Sequence, residues 1–321
     1  SVPEVGDWAM KQGNAAHNGF QPYRLDESDF ELRWSKTFSA EILPVATGGN
    51  QVFVVQGTYS NAASVRGLNV VDGKQKWKQD LSQTYYPSAP TYSAGQVMIQ
   101  ASNPAALRRF NANAGVAAEN INYTGWFYST TRSPSLFENN AYIVLGSGNV
   151  ISTRLDTGVN QWSTAIPTGS GDIAVNDQYL FYTYNAQIRA LNRSTGAPAL
   201  SIKTQSTSLS DLVLGARNNI LTYQNGLASY DIATRKLNWY LPSNDYYEGF
   251  SPVVANGQVI YIEEGTLKSV DEVDGTLRWS WRPDNQHLRS NIVATLSHIF
   301  VSSGYNTYAL SVTTGELLWS Y

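Results

Sequence analysis

Few residues of this chain have the types and spacings that covalent chemistry needs. The histidines are His17, His287 and His298, and none stands near another at a metal-binding interval. A lone imidazole on a loop or strand is more often solvated or hydrogen-bonded than catalytic. Cysteine is absent, which removes thiolate ligands, thiolate nucleophiles, haem attachment and disulfides. Serines are many, but none lies in a G-x-S-x-G elbow. Glu263 and Glu264 are adjacent, so on a strand they point to opposite faces, unlike two carboxylates sharing acid and base work. Asp271, Glu272 and Asp274 gather in VDEVDG, where turn chemistry accounts for them. No catalytic residue, no metal ligand and no cofactor is expected.

Binding chemistry is better supplied. Four stretches, TYYP at 84–87, YTGWFYSTTR at 123–132, NDYYEGF at 244–250 and DNQHLR at 284–289, concentrate rings and cations. They hold Tyr85, Tyr86, Trp126, Phe127, Tyr128, Arg132, Tyr246, Tyr247 and Arg289. Aromatic rings and guanidinium groups are the side chains enriched at interfaces and stacking sites. The bland alternative, that these rings pack the joints between structural units, carries equal weight. The sequons at Asn122 and Asn192 are expected by chance in a chain this rich in Asn, Ser and Thr.

The elements that must position these loops announce themselves as a repeat. Gly and Trp stand four residues apart at Gly73/Trp77, Gly158/Trp162, Gly275/Trp279 and Gly315/Trp319. Weaker copies keep the phase: Arg235 precedes Trp239, Gly196 precedes Leu200 and Gly115 precedes Glu119. The markers at 77, 119, 162, 200, 239, 279 and 319 are separated by 42, 43, 38, 39, 40 and 40 residues. A period near 40 points to a solenoid or a propeller. Trp34, in FELRWSKTF at 30–38, lies 43 residues before Trp77 and reads as one more outer strand.

About twenty residues before each marker runs an apolar β-forming stretch: VFVV, VMI, AYIVL, YLFYTY, ILTY, VIYI and HIFV. Polar turns flank it, and shorter strands stand on either side. Each repeat is thus four antiparallel strands, with a turn such as Asp274-Gly275 leading into the tryptophan strand. Seven such sheets arranged radially cover most of their edges. The expected fold is an all-β propeller, seven blades preferred and eight the alternative, over residues 30–321 behind a lead-in segment at 1–29. Trp34, Trp77, Trp162, Trp239, Trp279 and Trp319 share one phase and are expected to be structural wedges between sheets. The four ring-rich loops then join one blade to the next and share one rim.

Composition agrees. Charged residues are 15% and aromatics 12% of 321, with 25 Gly, which suits β-structure rich in turns. A net charge of -3 gives no reason to expect nucleic acid, and no apolar run is long enough to cross a membrane.

The D-x-x-T-G type of turn followed by Trp resembles the tryptophan-docking repeat of quinoprotein-type, pyrroloquinoline-quinone-like propellers, over roughly residues 30–321, and DWAMKQGNAAHNGF at 7–20 resembles the segment ahead of them. WD40 repeats fit poorly, since no Trp is followed by Asp. The resemblance implies two functions of different kinds. Quinone-dependent dehydrogenases of this fold hold the quinone over a tryptophan with Ca²⁺ beside it and an Asp as base, often with adjacent cysteines that this chain lacks. The propeller lipoproteins of outer-membrane β-barrel assembly, to which the chain is also similar, imply a protein partner in an envelope complex and no catalysis; their anchoring cysteine is not in this sequence. The expected function is non-enzymatic scaffolding in the periplasm, at the cell surface or in the secreted fraction. A polysaccharide ligand for the aromatic rim and a quinone-dependent dehydrogenase are the alternatives.

Overall fold

The computed structural model describes residues 7–57, 63–81, 84, 86–102, 104–127, 133–170, 173–205, 212–223, 225–243 and 250–321. Its strands form seven sheets, each of four antiparallel strands in chain order. Seven four-stranded blades of this kind make an all-β, seven-bladed propeller fold.

Two compact units divide the blades. Gly6–Ala15 with Glu31–Ser170 holds three. Blade 1 is Ala46–Gly48, Gln51–Gln56, Ser64–Asn69 and Gln75–Asp80; blade 2 is Thr91–Ser93, Gln96–Ser102, Ala105–Asn111 and Ile121–Asn122; blade 3 is Ser135–Phe137, Asn140–Leu145, Asn149–Arg154 and Asn160–Ala165. Ala16–Phe30 with Gly171–Tyr321 holds four. Blade 4 is Ala174–Val175, Tyr179–Tyr184, Gln187–Asn192 and Pro198–Lys203; blade 5 is Leu212–Leu214, Asn219–Tyr223, Gly226–Asp231 and Leu237–Pro242; blade 6 is Val253–Ala255, Gln258–Glu263, Thr266–Asp271 and Leu277–Trp281; blade 7 is Val293–Ala294, His298–Ser302, Thr307–Ser311 and Leu317–Ser320.

Every apolar run picked out in the sequence is a second strand, and burial explains why these runs do not alternate. Asn219–Tyr223 is buried throughout and Gln258–Glu263 nearly so, because both faces are covered by neighbouring sheets. Clusters accordingly form between blades: Val213, Leu221, Val254 and Val259 join blades 5 and 6. Fourth strands such as QKWKQD alternate between exposed and buried positions, and their Lys and Gln side chains blunt the outer edge.

Trp77, Trp239 and Trp279 dock on the next repeat's turn, not on their own. A Cβ built on Gly315 of blade 7 would lie 2.4 Å from the Trp279 ring of blade 6, and one on Gly115 would lie 2.6 Å from Trp77. Trp239 meets Gly275 in the same way. The indole N–H then donates to a carbonyl of that turn: Trp77 to Ala112 at 2.7 Å, Trp239 to Glu272 at 3.0 Å and Trp279 to Val312 at 3.3 Å. Gln51 and Gln258 donate to the same Ala112 and Val312 carbonyls. Trp162 and Trp319 are only half-buried; Trp162 lies 6.0 Å from Tyr142 and Trp319 5.2 Å from Phe30, centroid to centroid. Across the ladder each tryptophan faces a small residue, namely Gly67, Ser152, Ser229, Ser269 and Ala309, and the register slips directly after it.

One expectation is corrected. Residues 31–38 dock as an outer strand but enter no ladder. Trp34 sits on Gly73, whose Cβ would lie 2.6 Å from the ring, and donates to the Val70 carbonyl at 2.9 Å. The side-chain pattern of a strand is present; among the described residues no third strand pairs with it.

The lead-in segment runs against first strands. In one unit Trp8 and Thr47 bond reciprocally and Tyr92 N–H donates to the Ala9 carbonyl. In the other, the N–H groups of Leu214, Val254 and Ala294 donate to the carbonyls of Ala16, Asn18 and Gly19. Backbone edges that the blades leave open are thereby paired.

Candidate functional site

Loops that join blades are tied to the second and third strands of the following blade, or to the turn between them. Between blades 1 and 2, Ser88 N–H donates to the Gln100 carbonyl at 3.0 Å, and Arg108 donates to Thr84 Oγ1. Tyr86 projects from this loop, 47% exposed, at a positive φ of 50°. Between blades 2 and 3, Gly146 N–H donates to the Trp126 carbonyl at 2.7 Å. The Trp126 ring lies flat on that glycine, where a Cβ would come within 2.5 Å of it. Any other residue at 146 would push the indole away. One face of the ring is therefore covered, and Trp126 remains 46% exposed.

Its neighbour has the opposite fate. Phe127 is 7% exposed and meets Tyr123 edge-on at 6.3 Å, so its ring serves the joint and is not presented to a partner. Tyr123 in turn shares a hydrogen bond with Thr153 Oγ1 at 3.1 Å, and burial pushes its phenol up from 10.0 to about 12. Arg289 belongs to the other unit; it is exposed, and its N–H donates to the Ser302 carbonyl at 2.9 Å. Of the residues selected from sequence, Tyr86 and Trp126 stand on equivalent loops of consecutive blades within one unit. Tyr85, Tyr128, Arg132, Tyr246 and Tyr247 lie outside the described residues.

Sequence reasoning missed Tyr305, 95% exposed in the blade 7 turn; His287, set aside there as a lone imidazole, rests on Gly265 and accepts a 2.9 Å bond from Arg282 at Nε2. The signal for Tyr305 was its position in SGYN, between two turn-forming residues.

The acidic candidates are engaged structurally. Arg278, at 2.5 Å, and the Val273 N–H hold the Asp271 carboxyl below the usual range. Asp274 accepts from the backbone and hydroxyl of Thr276. Glu272 is buried, and its Oε1 accepts the Ala216 N–H at 2.8 Å, reaching from blade 6 to blade 5. Glu263 pairs with Lys268. His298 is buried with Nδ1 bonded to Ser297 Oγ and its ring stacked on Phe300. Among the described residues no three His, Cys, Asp or Glu side chains gather as a metal site. The described residues do not fit a Ca²⁺ and quinone centre.

Comparison with solved structures gives the fold again. The chain is 14% identical to BamB from Moraxella catarrhalis, with a TM-score of 0.61 over 88% of this chain and 87% of that one. A europium-containing methanol dehydrogenase is 11% identical, with a TM-score of 0.74 over 99% and 86%. A quinohemoprotein alcohol dehydrogenase from Pseudomonas putida is 13% identical, with a TM-score of 0.77 over 98% and 72%. No curated protein sequence matches the chain. The family model described as outer membrane protein assembly factor BamB matches residues 23–173, 147–249 and 248–321. With the docked tryptophans and seven four-stranded blades, that match places the chain in the BamB family of pyrroloquinoline-quinone-like repeat propellers.

Proposed function

We propose that this protein is a non-catalytic scaffold of the cell envelope that holds a protein partner on the loops joining its blades, with Trp126 as the principal contact. The observation that carries the reading is the indole itself: pinned by a backbone bond to Gly146, covered on one face by that glycine and half exposed. A large ring held rigid before binding loses little conformational entropy when a partner covers it. Such rings are the commonest centres of interface energy. Family membership supports the partner class, since the family is described by its part in outer-membrane protein assembly. An exported, envelope location goes with that description. The test is a cross-linking pull-down from the envelope fraction with the wild-type chain and with Trp126→Ala. The expected result is one specific protein recovered by the wild type and reduced about tenfold or more in the variant, a loss of about 1.4 kcal/mol or greater. Equal recovery by both would remove Trp126 from the interface. Recovery of a glycan in place of a protein would transfer the ring to sugar stacking.

A further inference from the structure

We propose that Arg109 is the positioning residue of the Trp126 contact: its guanidinium takes the place of the tryptophan that fastens other joints, and holds the strand leading to Trp126 against blade 3. The inference rests on the reading of Trp126 as the contact for a partner.

The joints that a tryptophan fastens share one kind of acceptor. Trp34, Trp77, Trp239 and Trp279 donate to the carbonyls of Val70, Ala112, Glu272 and Val312. Each of these carbonyls stands three residues before a docking glycine, at 73, 115, 275 and 315. In blade 3 the same place before Gly158 belongs to Leu155. Blade 2 has no tryptophan to reach it, because Glu119 stands four residues after Gly115. The donor is instead Arg109, whose Nη1 lies 3.1 Å from the Leu155 carbonyl oxygen. Arg109 precedes Gly115 by six residues, as Gly67, Ser269 and Ala309 precede Gly73, Gly275 and Gly315. Those three small residues face Trp77, Trp279 and Trp319 across the ladder. In blade 2 the large side chain has thus moved from the fourth strand to the third, and the bond to the next blade's turn is kept.

The strand depends on that clasp. Blade 1 pairs its third and fourth strands at every position from Ser64 to Leu68. Blade 2 pairs Ala106 with Asn122, Leu107 with Ile121 and, as a lone bridge, Phe110 with Ala117, so Arg108 and Arg109 lie in a gap of the ladder. Arg109 spans the gap: its Nε and Nη2 donate to the Glu119 carbonyl at 2.9 and 2.8 Å. No indole covers the following turn. A Cβ on Gly158 would meet only Ile121 within 4 Å, and Gly158 is half-buried where Gly115, Gly275 and Gly315 are buried. Beyond the clasp the chain passes through Tyr123, bonded to Thr153 of blade 3, to Trp126 and then Phe127, which packs edge-on against Tyr123. Arg109 therefore secures the weakest stretch of ladder ahead of the ring that rests on Gly146. A guanidinium presents its donors in a rigid fork that reaches two carbonyls at once; an ammonium on a flexible stem does not fix the same geometry.

The test uses the full chain labelled with 5-fluorotryptophan, the Trp126 fluorine signal being assigned with Trp126→Phe. Arg109→Ala is expected to shift or broaden that signal while those of Trp239 and Trp279 stay in place. Amides of 117–127 should exchange about tenfold faster or more, with those of 75–80 unchanged. Arg109→Lys keeps the stem and the charge, should show the same changes to a smaller degree, and decides the case if Arg109→Ala does not fold. The double variant Arg109→Gly/Glu119→Trp rebuilds the pairing of Gly67 with Trp77 and should return both readings to those of the wild type. In the envelope pull-down the single variants should recover less of the partner, and the double variant as much as the wild type. An unchanged Trp126 signal, a shift of all tryptophan signals together, or a double variant that does not restore slow exchange would each overturn the proposal. Recovery of no partner by the wild type would fall on the loop-contact reading alone, since the fluorine and exchange readings decide the clasp without a partner.

Discussion

A glycine that carries a tryptophan differs from one that only turns the chain. Gly315 and Gly257 have nearly the same φ, +71° and +70°, but a Cβ on Gly315 meets Trp279 at 2.4 Å while one on Gly257 meets nothing within 4 Å. Gly257→Ala is expected to cost about 1–2 kcal/mol for the left-handed backbone. Gly315→Ala should cost about 1–3 kcal/mol more, because the indole must move. Urea titration of the two variants reads the difference, and equal losses would contradict the docking. Spacing in the sequence made Gly and Trp visible as members of one repeat. It could not show that Trp77, Trp239 and Trp279 pair with the glycine of the next repeat, since a period is unchanged when every partner shifts by one unit. Tyr123 gives a pH dependence. Its folded phenol titrates at about 12 against 10.0 when free, so below pH 10 its burial counts in full. Between the two values the unfolded phenol ionises first, and stability falls by about 2–3 kcal/mol as pH rises through the folded value. Tyr123→Phe should flatten that alkaline loss in denaturation curves at pH 9 to 12.

Strands were legible because second strands are covered on both faces and carry continuous β-branched and aromatic runs. Residues 31–38 show the limit: the same side-chain pattern is present, but pairing is a property of two strands, and among the described residues none pairs with this one. Contacts between sheets were also hidden. Glu272 looked like a turn residue, yet its carboxylate crosses to the Ala216 N–H, and a Cβ on Gly215 would lie 2.5 Å from that oxygen and 2.2 Å from Asn219 Oδ1. Gly215→Ala is expected to destabilise by about 1–3 kcal/mol although its backbone is unstrained. Combined with Glu272→Ala the two losses should fall short of additive by about 0.5 kcal/mol or more, measured in a double-mutant cycle. Strict additivity would mean that the carboxylate does not couple blades 5 and 6.

For the molecule as a whole, seven markers at regular intervals were enough to give the fold class. The loops were legible as the stretches that leave the repeat. The fate of a ring within a loop was not, as adjacent Trp126 and Phe127 show: composition says that both can bind, and only packing exposes one and buries the other. Likeness to quinone enzymes has its own test at this scale. A ligand of the native state raises the melting temperature, and Ca²⁺ with the quinone is expected to leave that of this chain unchanged; a concentration-dependent rise would reopen catalysis.

The most direct test of the scaffold is site-specific photo-crosslinking in the envelope, with the reactive side chain placed at exposed Thr124, two residues before Trp126 on the same loop, and as controls at Val159 and Val273 on outer turns, 59% and 55% exposed. The scaffold reading predicts one protein adduct from position 124, lost when Trp126→Ala is added, and none from the controls. An adduct that survives Trp126→Ala, or that forms equally from all three positions, would contradict it.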